Sequence, residues 1–320
     1  MKWAIAFLAV ASTSVAQAAE LPKLTLLVGN KAENSMVFVD PATNKVLGHV
    51  PTGNGPHEIA ASTDGKLAFV ANYGTGPAPG NTISVIDVVN QKELRKLDIS
   101  PLQRPHGLWF ADGKLYFTAE ANRVVGRYDP AANKIDWIMG TGQGTTHMVV
   151  VGKDGLVFTA NIGGNSISII ERANVTAIPV GQGPEAIDLS PDGKEFWTAH
   201  SRDGGVSIID VASKKVVQTL SIGTKRSNRL KFTPDGARVL ISDLDGNEVV
   251  VLDAATRKEI KRVKMGRTPE GILMAKDGSR AYVAEAGENR IAMIDLKTLE
   301  VTGHLITGDG PDGMAWSDRR

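Results

Sequence analysis

The sequence contains no cysteine among its 320 residues. This absence excludes disulfide bonds, a C-x-x-C-H haem attachment, an acylated lipoprotein anchor and any thiolate nucleophile. Stability must therefore come from buried apolar side chains and from backbone hydrogen bonds. The sequence also lacks a G-x-S-x-G elbow, a P-loop, an H-E-x-x-H helix and a dinucleotide-binding fingerprint, which excludes the enzyme classes that these motifs mark.

An excess of charge of one sign is lacking as well. The chain has 36 Lys and Arg residues against 35 Asp and Glu residues, so its formal net charge is only +1. Such a balanced chain has no general field that attracts nucleic acid or an anionic membrane. We therefore expect neither as a partner.

The N terminus carries a short apolar run. Lys2 precedes apolar residues 3–11, and small residues then lead to Ala16-Gln17-Ala18. This order is typical of a secretory signal peptide that is cleaved after an A-x-A site. An uncleaved anchor is the alternative, but about 10 apolar residues are too few where a membrane-spanning helix needs about 20. We predict a signal peptide over residues 1–18 and a monomeric domain over residues 19–320, exported to a bacterial periplasm without a membrane span.

What the sequence does contain is a repeat of about 40 residues. Glycine is abundant, with 34 residues, and Val, Ile and Thr recur in short runs that favour strands. Each repeat contains four such runs, and an Asp-Gly turn separates the first two in six of the units. Four strands for every 40 residues is typical of a propeller blade. The units open at Pro56, Pro105, Thr145, Pro184, Ser227, Pro269 and Pro311.

The two ends of the chain predict how the ring closes. Residues 24–55 supply only the last three strands of a blade, and the missing inner strand is found at 313–316. Pairing the two ends would complete a seventh blade and leave no open sheet edge. The predicted fold is therefore all-β, a single seven-bladed β-propeller whose first blade is closed by the N- and C-terminal strands.

The second strand of the repeat carries a recognisable motif in residues 69–74, 158–163 and 282–287. It reads Phe-Val-Ala-Asn-Tyr-Gly in the first of these segments and is followed by Ile83-Ser84-Val85-Ile86-Asp87. The repeat resembles that of the YVTN family of β-propeller proteins, although no unit contains Tyr-Val-Thr-Asn itself. The resemblance covers essentially the whole mature chain and implies the propeller fold. Similar propellers include sugar lactonases, cofactor-binding oxidoreductase domains and surface-layer proteins, so the resemblance implies no single activity.

Residues at matching repeat positions should form rings around the mouth of the central channel. The ring at the start of the inner strands reads His57, His106, His147, Glu185, Asn228, Glu270 and Asp312. A second ring, at the ends of the second strands, is predicted to contain Asn30, Asn72, Glu120, Asn161, His200, Asp243 and Glu285.

Three of the six histidines of the chain thus lie on three consecutive blades. Converging imidazoles are typical of Zn²⁺, Cu²⁺ or Fe²⁺ sites, so we predict His57, His106 and His147 as metal ligands. Glu120, Glu185 and His200 are the candidate catalytic acid and base groups. The alternative is that any propeller has a polar, hydrated channel mouth.

Cationic side chains are predicted on the same face. Arg104, Arg226, Arg229 and Arg267 lie close to the unit openings and suit a carboxylate or phosphate on a small ligand. They could instead neutralise the carboxylates of the ring. The long loop at residues 74–81 could cover the mouth or be a tolerated insertion.

Two functions from different classes follow. The first is an exported propeller that binds a small ligand or a metal at the channel mouth, with hydrolase or lyase chemistry on an anionic small molecule as one possibility. The second is a non-catalytic propeller that binds a periplasmic protein partner, serving a dehydrogenase or a transport system.

Overall fold

The structure is a computed structural model that describes residues 20–319. The predicted signal peptide and its cleavage site lie outside the described residues. The described part contains three short 3-10 turns, at Glu120–Asn122, Ile162–Gly164 and Ala286–Glu288, and is otherwise built of strands. Within residues 20–319, no helix is long and apolar enough to cross a bilayer.

The 28 strands follow one another along the chain with short turns between them. They are β1 (Leu24–Asn30), β2 (Ser35–Asp40), β3 (Lys45–Pro51), β4 (Pro56–Ala61), β5 (Leu67–Gly74), β6 (Pro79–Asp87), β7 (Lys92–Asp98), β8 (Pro105–Ala111), β9 (Lys114–Ala119), β10 (Val124–Asp129), β11 (Lys134–Gly140), β12 (Thr146–Val151), β13 (Val157–Asn161), β14 (Ser166–Glu171), β15 (Asn174–Pro179), β16 (Pro184–Leu189), β17 (Glu195–His200), β18 (Gly205–Asp210), β19 (Lys215–Ser221), β20 (Ser227–Phe232), β21 (Arg238–Asp243), β22 (Glu248–Asp253), β23 (Glu259–Lys264), β24 (Pro269–Met274), β25 (Arg280–Glu285), β26 (Arg290–Asp295), β27 (Glu300–Ile306) and β28 (Pro311–Asp318).

These strands form seven four-stranded antiparallel sheets, which are the seven predicted blades. Blade one has the strand order β28-β1-β2-β3, and each later blade takes the next four strands in sequence. The closure predicted from the two chain ends is confirmed, because β28 pairs with β1 and sets Leu26 opposite Trp316 and Val28 opposite Met314.

Burial follows the position of each strand in its blade. The third strands are nearly all buried, as in β14, because both of their faces contact neighbouring blades. The fourth strands alternate between exposed and half-buried residues, as in β7, because they form the outer edge of the ring. Aromatic contacts join adjacent blades, with the rings of Phe158 and Phe196 stacked at a centroid distance of 4.7 Å.

The Asp-Gly turns are hairpin turns, as predicted. Gly193 has a φ of +75°, which glycine adopts without the cost that a Cβ imposes. Asp192 accepts hydrogen bonds from the Ser190 hydroxyl and the Lys194 amide, so its carboxylate stabilises the turn in which it lies. The same pattern recurs at Asp64 and Asp235.

The strand register corrects the predicted repeat by one residue at two places. Thr146, and not Thr145, begins β12 opposite Asn161, so blade four begins one residue later than predicted. Ala119 pairs with Pro105, so the second strand of blade three ends one residue before Glu120. Glu120 therefore lies one residue beyond the residue that pairs with the start of the inner strand, which is also the place of Lys31 and Tyr73. A shift of one residue matters because successive side chains of a strand point to opposite faces.

Candidate functional site

Seven inner-strand residues surround one cavity at the mouth of the channel, which we call the mouth cavity. Its volume is about 160 Å³. The inner-strand residues that line it are His57, His106, His147, Glu185, Asn228, Glu270 and Asp312.

A β-bulge directs each of these side chains into the channel. In every blade the register between the inner strand and the second strand shifts directly at the start of the inner strand, as between Pro56 and Ile59 or between Pro105 and Leu108. A bulge places an extra residue in one strand and redirects its side chain. The bulge is therefore the local reason why the seven predicted residues converge.

The three histidines occupy one side of the mouth cavity in close contact. The ring centroids of His106 and His147 are 3.7 Å apart, and those of His57 and His106 are 5.1 Å apart. Burial lowers the pKa of His57, and burial together with the nearby His147 lowers that of His106 well below the usual range. Both of these imidazoles are therefore neutral near pH 7, which is the form that binds metal.

Hydrogen bonds orient two of the three imidazoles. His57 Nδ1 lies 2.8 Å from the carbonyl oxygen of Gly55, so Nδ1–H donates and the lone pair is left on Nε2. His147 Nδ1 donates to Glu120, while its Nε2 is buried without a hydrogen-bond partner among the described residues. The Nδ1 atom of His106 is likewise buried and unpartnered. Buried nitrogens of this kind are rare unless an ion or water satisfies them.

Glu120 connects His147 to Tyr73. Its Oε1 atom accepts the bond from His147, and its Oε2 atom accepts a 2.6 Å bond from the Tyr73 hydroxyl. Burial opposes ionisation of Glu120, but these two hydrogen bonds outweigh it and hold the pKa below its ordinary value. Burial and the charge of Glu120 raise the pKa of Tyr73 to about 12, so the phenol stays protonated. Carboxylate–histidine pairs of this kind orient metal ligands in known metal sites.

The side of the mouth cavity opposite the histidines is ionic. Lys31 forms ion pairs with Glu270 and, at 3.3 Å, with Asp312. Burial and the charge of Asp312 raise the pKa of Glu270 to about 7. Burial alone would raise the pKa of Asp312 too, but Lys31 and Arg229 hold it at about 2. Asp312 is therefore the permanent anion of this cluster, while Glu270 exchanges a proton near neutral pH.

Arg229 lies at the bottom of the mouth cavity. It pairs with Glu58 and, at 3.6 Å, with Asp312, and it donates to the Asn228 carbonyl at 3.0 Å. Its side chain is only 5% exposed. Its two Nη atoms therefore bind protein groups, and its role in binding a ligand stays a prediction. We call Glu58, Arg229 and Asp312 the ionic partition.

The other predicted arginines are placed differently. Arg226 is exposed, lines the mouth cavity and has no ion-pair partner within residues 20–319, so its guanidinium is the one best placed to contact a ligand anion. Arg104 does not line the cavity, because it stacks over Tyr73 and donates to the carbonyls of Thr75 and Gly76 in the long loop. Arg267 pairs with Glu288 at 2.8 Å and does not line the mouth cavity.

The candidate catalytic residues divide in the same way. Glu185 lines the mouth cavity and accepts a 2.9 Å hydrogen bond from Asn228, and Glu120 lies behind His147. His200 is fully buried within blade five, where its Nδ1 atom is 2.9 Å from Asp203, and it does not line the mouth cavity. The second ring predicted from the sequence is structural, because residues such as Asn72 and Asp243 bind the backbone of the loops in their own blades.

Sequence reasoning missed Lys31, Tyr73 and Glu58 as residues of the site. Lys31 and Tyr73 each come one residue after the residue that pairs with the start of the inner strand, which is also the place of Glu120. Shifting the second ring by one residue would have found both of them. Glu58 carries no such signal, because its place depends on the bulge in β4.

The donor set suits a transition metal. Among the described residues, His106, Glu120 and His147 form the group whose potential ligand atoms all lie within 4.8 Å of one another. Both oxygens of Glu120 already accept hydrogen bonds, so it can orient His147, while His57 stands outside this group, with its ring centroid 5.1 Å from that of His106. Three imidazoles with an open position are typical of catalytic zinc and of related copper or iron sites.

Comparisons with known proteins support a propeller. A family model described as the cytochrome D1 heme domain matches residues 143–278, which is fewer than half of the chain. Protein NirF of Stutzerimonas stutzeri is 28% identical over 123 residues, which cover 37% of this chain and 31% of that protein. The chain thus matches about a third of the length of this curated relative.

Two solved structures show the same fold over nearly the whole chain. Hydrazine synthase of Kuenenia stuttgartiensis aligns with a TM-score of 0.75 and 19% identity, covering 90% of this chain and 99% of that one. The periplasmic gluconolactonase of Pseudomonas aeruginosa aligns with a TM-score of 0.76 and 16% identity, covering 92% and 98%. At these identities the likeness concerns the fold alone. The resemblance to the YVTN family rests on the repeat motifs.

Proposed function

We propose that this protein is a periplasmic metal-binding propeller, in which His57, His106 and His147 hold one divalent transition-metal ion at the mouth cavity. The convergence of three imidazoles, two of which keep a buried nitrogen without a partner, is the observation that carries this proposal. An ion would satisfy these nitrogens and so remove the cost of leaving them unpaired.

The charges of the site also favour a cation. Asp312 and Glu120 are ionised, and a further carboxyl group, that of Glu185, lines the cavity. The cations Lys31 and Arg229 are paired with carboxylates. An ion with three imidazole ligands would keep an open position for water or a small ligand. The ion would polarise the molecule that binds there. Glu185 and Arg226 line the same cavity and are the groups available to accept a proton from such a ligand and to contact its charge.

The match to the cytochrome D1 heme domain favours a second candidate, an iron tetrapyrrole. The matched residues 143–278 include His147 but neither His57 nor His106. The mouth cavity does not fit a macrocycle, because its 160 Å³ is smaller than the roughly 300 Å³ at which pockets for drug-sized ligands begin. Such a group would have to lie outside the mouth cavity, where His147 would be the residue of the matched segment available to hold it. We therefore prefer the bare ion.

Metal analysis of the exported protein tests the proposal. We expect one equivalent of Zn²⁺, Cu²⁺ or Fe²⁺ after purification or reconstitution, and loss of that ion in the variant with His57, His106 and His147 all changed to Ala. A matched control changes His49 and His304, which lie in the outer strands β3 and β27, and should keep the ion.

Two results would decide against the proposal. One is the absence of micromolar binding of any of these ions to the folded wild-type protein. The other is full retention of the ion in the triple variant, which would mean that the ligands are elsewhere. Titration with hemin separates the second candidate, because a bound tetrapyrrole would produce a Soret band with a His147-dependent position.

A further inference from the structure

The channel contains a second cavity below the mouth cavity, which we call the lower cavity. It has a volume of about 260 Å³ and shares a single lining residue, Arg229, with the mouth cavity. We propose that the lower cavity is a separate binding site for a small neutral aromatic molecule of one or two rings that carries one hydrogen-bond donor.

The ionic partition separates the two cavities. Arg229 lies on the inner strand of blade six. Its partner Glu58 lies on the inner strand of blade two, on the far side of the ring. Asp312 from blade one receives the same guanidinium at 3.6 Å. These three side chains therefore extend across the channel, and a molecule in the lower cavity does not touch the histidines.

The walls of the lower cavity are apolar and partly aromatic. Residues from the inner strands of several blades line it, most of them apolar, such as Ile59, Leu108, Met148, Val150, Ile272 and Met314, and Lys231 adds one cation. Trp109, Phe110 and Trp316 also line it and are only half-buried, so part of each ring is exposed to a ligand, although Phe69 stacks on Phe110 and Lys231 Nζ lies 5.9 Å from the Trp109 ring centroid. The indole N–H of Trp316 donates to the Met274 carbonyl at 2.8 Å, which holds this ring in place.

The size of the lower cavity limits the ligand to one or two rings. An apolar protein cavity of about 150 Å³ is known to hold benzene. The lower cavity is larger, at about 260 Å³, and has room for a fused two-ring molecule. Small ligand sites typically combine such apolar walls with one or two polar groups that set the orientation.

Glu58 is the polar group that selects the ligand. One of its oxygens, Oε1, pairs with Arg229, while its Oε2 accepts no hydrogen bond within residues 20–319. Its side chain is 13% exposed, and it lines the lower cavity but not the mouth cavity. An N–H or O–H donor on the ligand would satisfy this oxygen. The ligand should be neutral, because Arg229 balances Glu58 and the other cation of the lining, Lys231, pairs with Asp188 at 3.4 Å.

Calorimetric titration with indole and with 1-methylindole tests this site directly. Both molecules have two fused rings, but only indole carries an N–H donor. We expect saturable binding of indole, and binding of 1-methylindole weaker by about tenfold or more, as the loss of a hydrogen bond to a charged acceptor implies. The variant that lacks His57, His106 and His147 should bind indole as the wild type does, so failure of the metal site would leave this result unchanged.

Two variants that fill the lower cavity complete the test. Ala61→Phe and Leu273→Trp enlarge side chains that line the cavity and are not fully buried, so each should abolish indole binding while the fold is kept. Val46→Phe, at a residue that is 43% exposed on an outer strand, is the matched control and should bind normally.

Circular dichroism and thermal unfolding show whether each variant is folded. If neither indole nor 1-methylindole binds to the wild type, or if both folded filling variants bind indole normally, the proposed site is wrong. Equal affinity for the two probes would overturn the role of Glu58.

Discussion

Replacing Arg229 with Met should destabilise the protein more than any exposed substitution. The guanidinium is 5% exposed and joins Glu58 to Asp312, whose side chain is 3% exposed. Removing one partner of a buried ion pair leaves the other charge without compensation, which typically costs about 3–5 kcal/mol. We therefore expect the free energy of unfolding at pH 7 to fall by about 3–5 kcal/mol in urea denaturation.

The same variant should show a distinctive pH dependence. In the wild type the pKa of Asp312 is lowered from 3.8 to about 2, so its ionised form stabilises the fold above pH 4 and loses that contribution as the pH falls towards 2. Without Arg229 the folded-state pKa of Asp312 rises, because only Lys31 remains as a cation. Protonation then relieves the unpaired charge, so the deficit of the variant should become smaller between pH 7 and pH 4.

Two further variants make this prediction refutable. Arg267→Met removes a rim arginine whose side chain is 72% exposed, and it should change stability by less than about 1 kcal/mol. Adding Glu58→Leu to Arg229→Met should recover part of the loss, because replacing both members of a buried pair by apolar groups is often neutral. A loss below about 1 kcal/mol for Arg229→Met, or a loss that does not change with pH, would refute the reasoning.

Three other predictions concern the metal site and the ring. Glu120→Gln should weaken metal binding by about 10- to 100-fold in a chelator competition assay, as loss of an orienting carboxylate does in other sites. Glu185→Gln is the control and should change the metal affinity by less than about threefold. Equal effects of the two substitutions would contradict the orienting role of Glu120. His200→Asn should leave metal content unchanged and lower the melting temperature, and loss of the ion would show that His200 is a ligand after all. Deleting residues 311–320 removes the inner strand of blade one and should yield an unfolded or aggregated chain, visible by circular dichroism and size-exclusion chromatography. A truncated protein that is monomeric and unfolds cooperatively would contradict the role of this strand in closing the ring.

Much of the fold could be predicted because its signals are local and repeated. The Asp-Gly turns and the short β-branched runs each lie within a few residues of one another, and their recurrence specifies one blade after another. The closure by β28 also followed from counting, because three strands at one end and one at the other complete a blade.

Less of the candidate site could be predicted, because one residue of register decides where a side chain points. The ring that begins with His57 was located correctly because the opening of each unit is well marked. The second ring, which includes His200, was misplaced only at Glu120, because the end of that second strand depends on pairing with the inner strand, as Ala119 and Pro105 show. Glu120 enters the site only because it lies one residue beyond that end.

The sequence by itself determined the seven blades, their closure and the seven residues around the channel mouth, since each follows from a short-range pattern repeated around a closed ring. Only the tertiary structure decided which charged side chains form ion pairs and which have no ion-pair partner among the described residues. Arg229 and Arg226 are three residues apart in the chain, yet one is paired across the channel and the other has no ion-pair partner among the described residues. That difference arises because ion pairs across the channel join blades that are far apart in sequence, and no local pattern encodes which of their side chains meet.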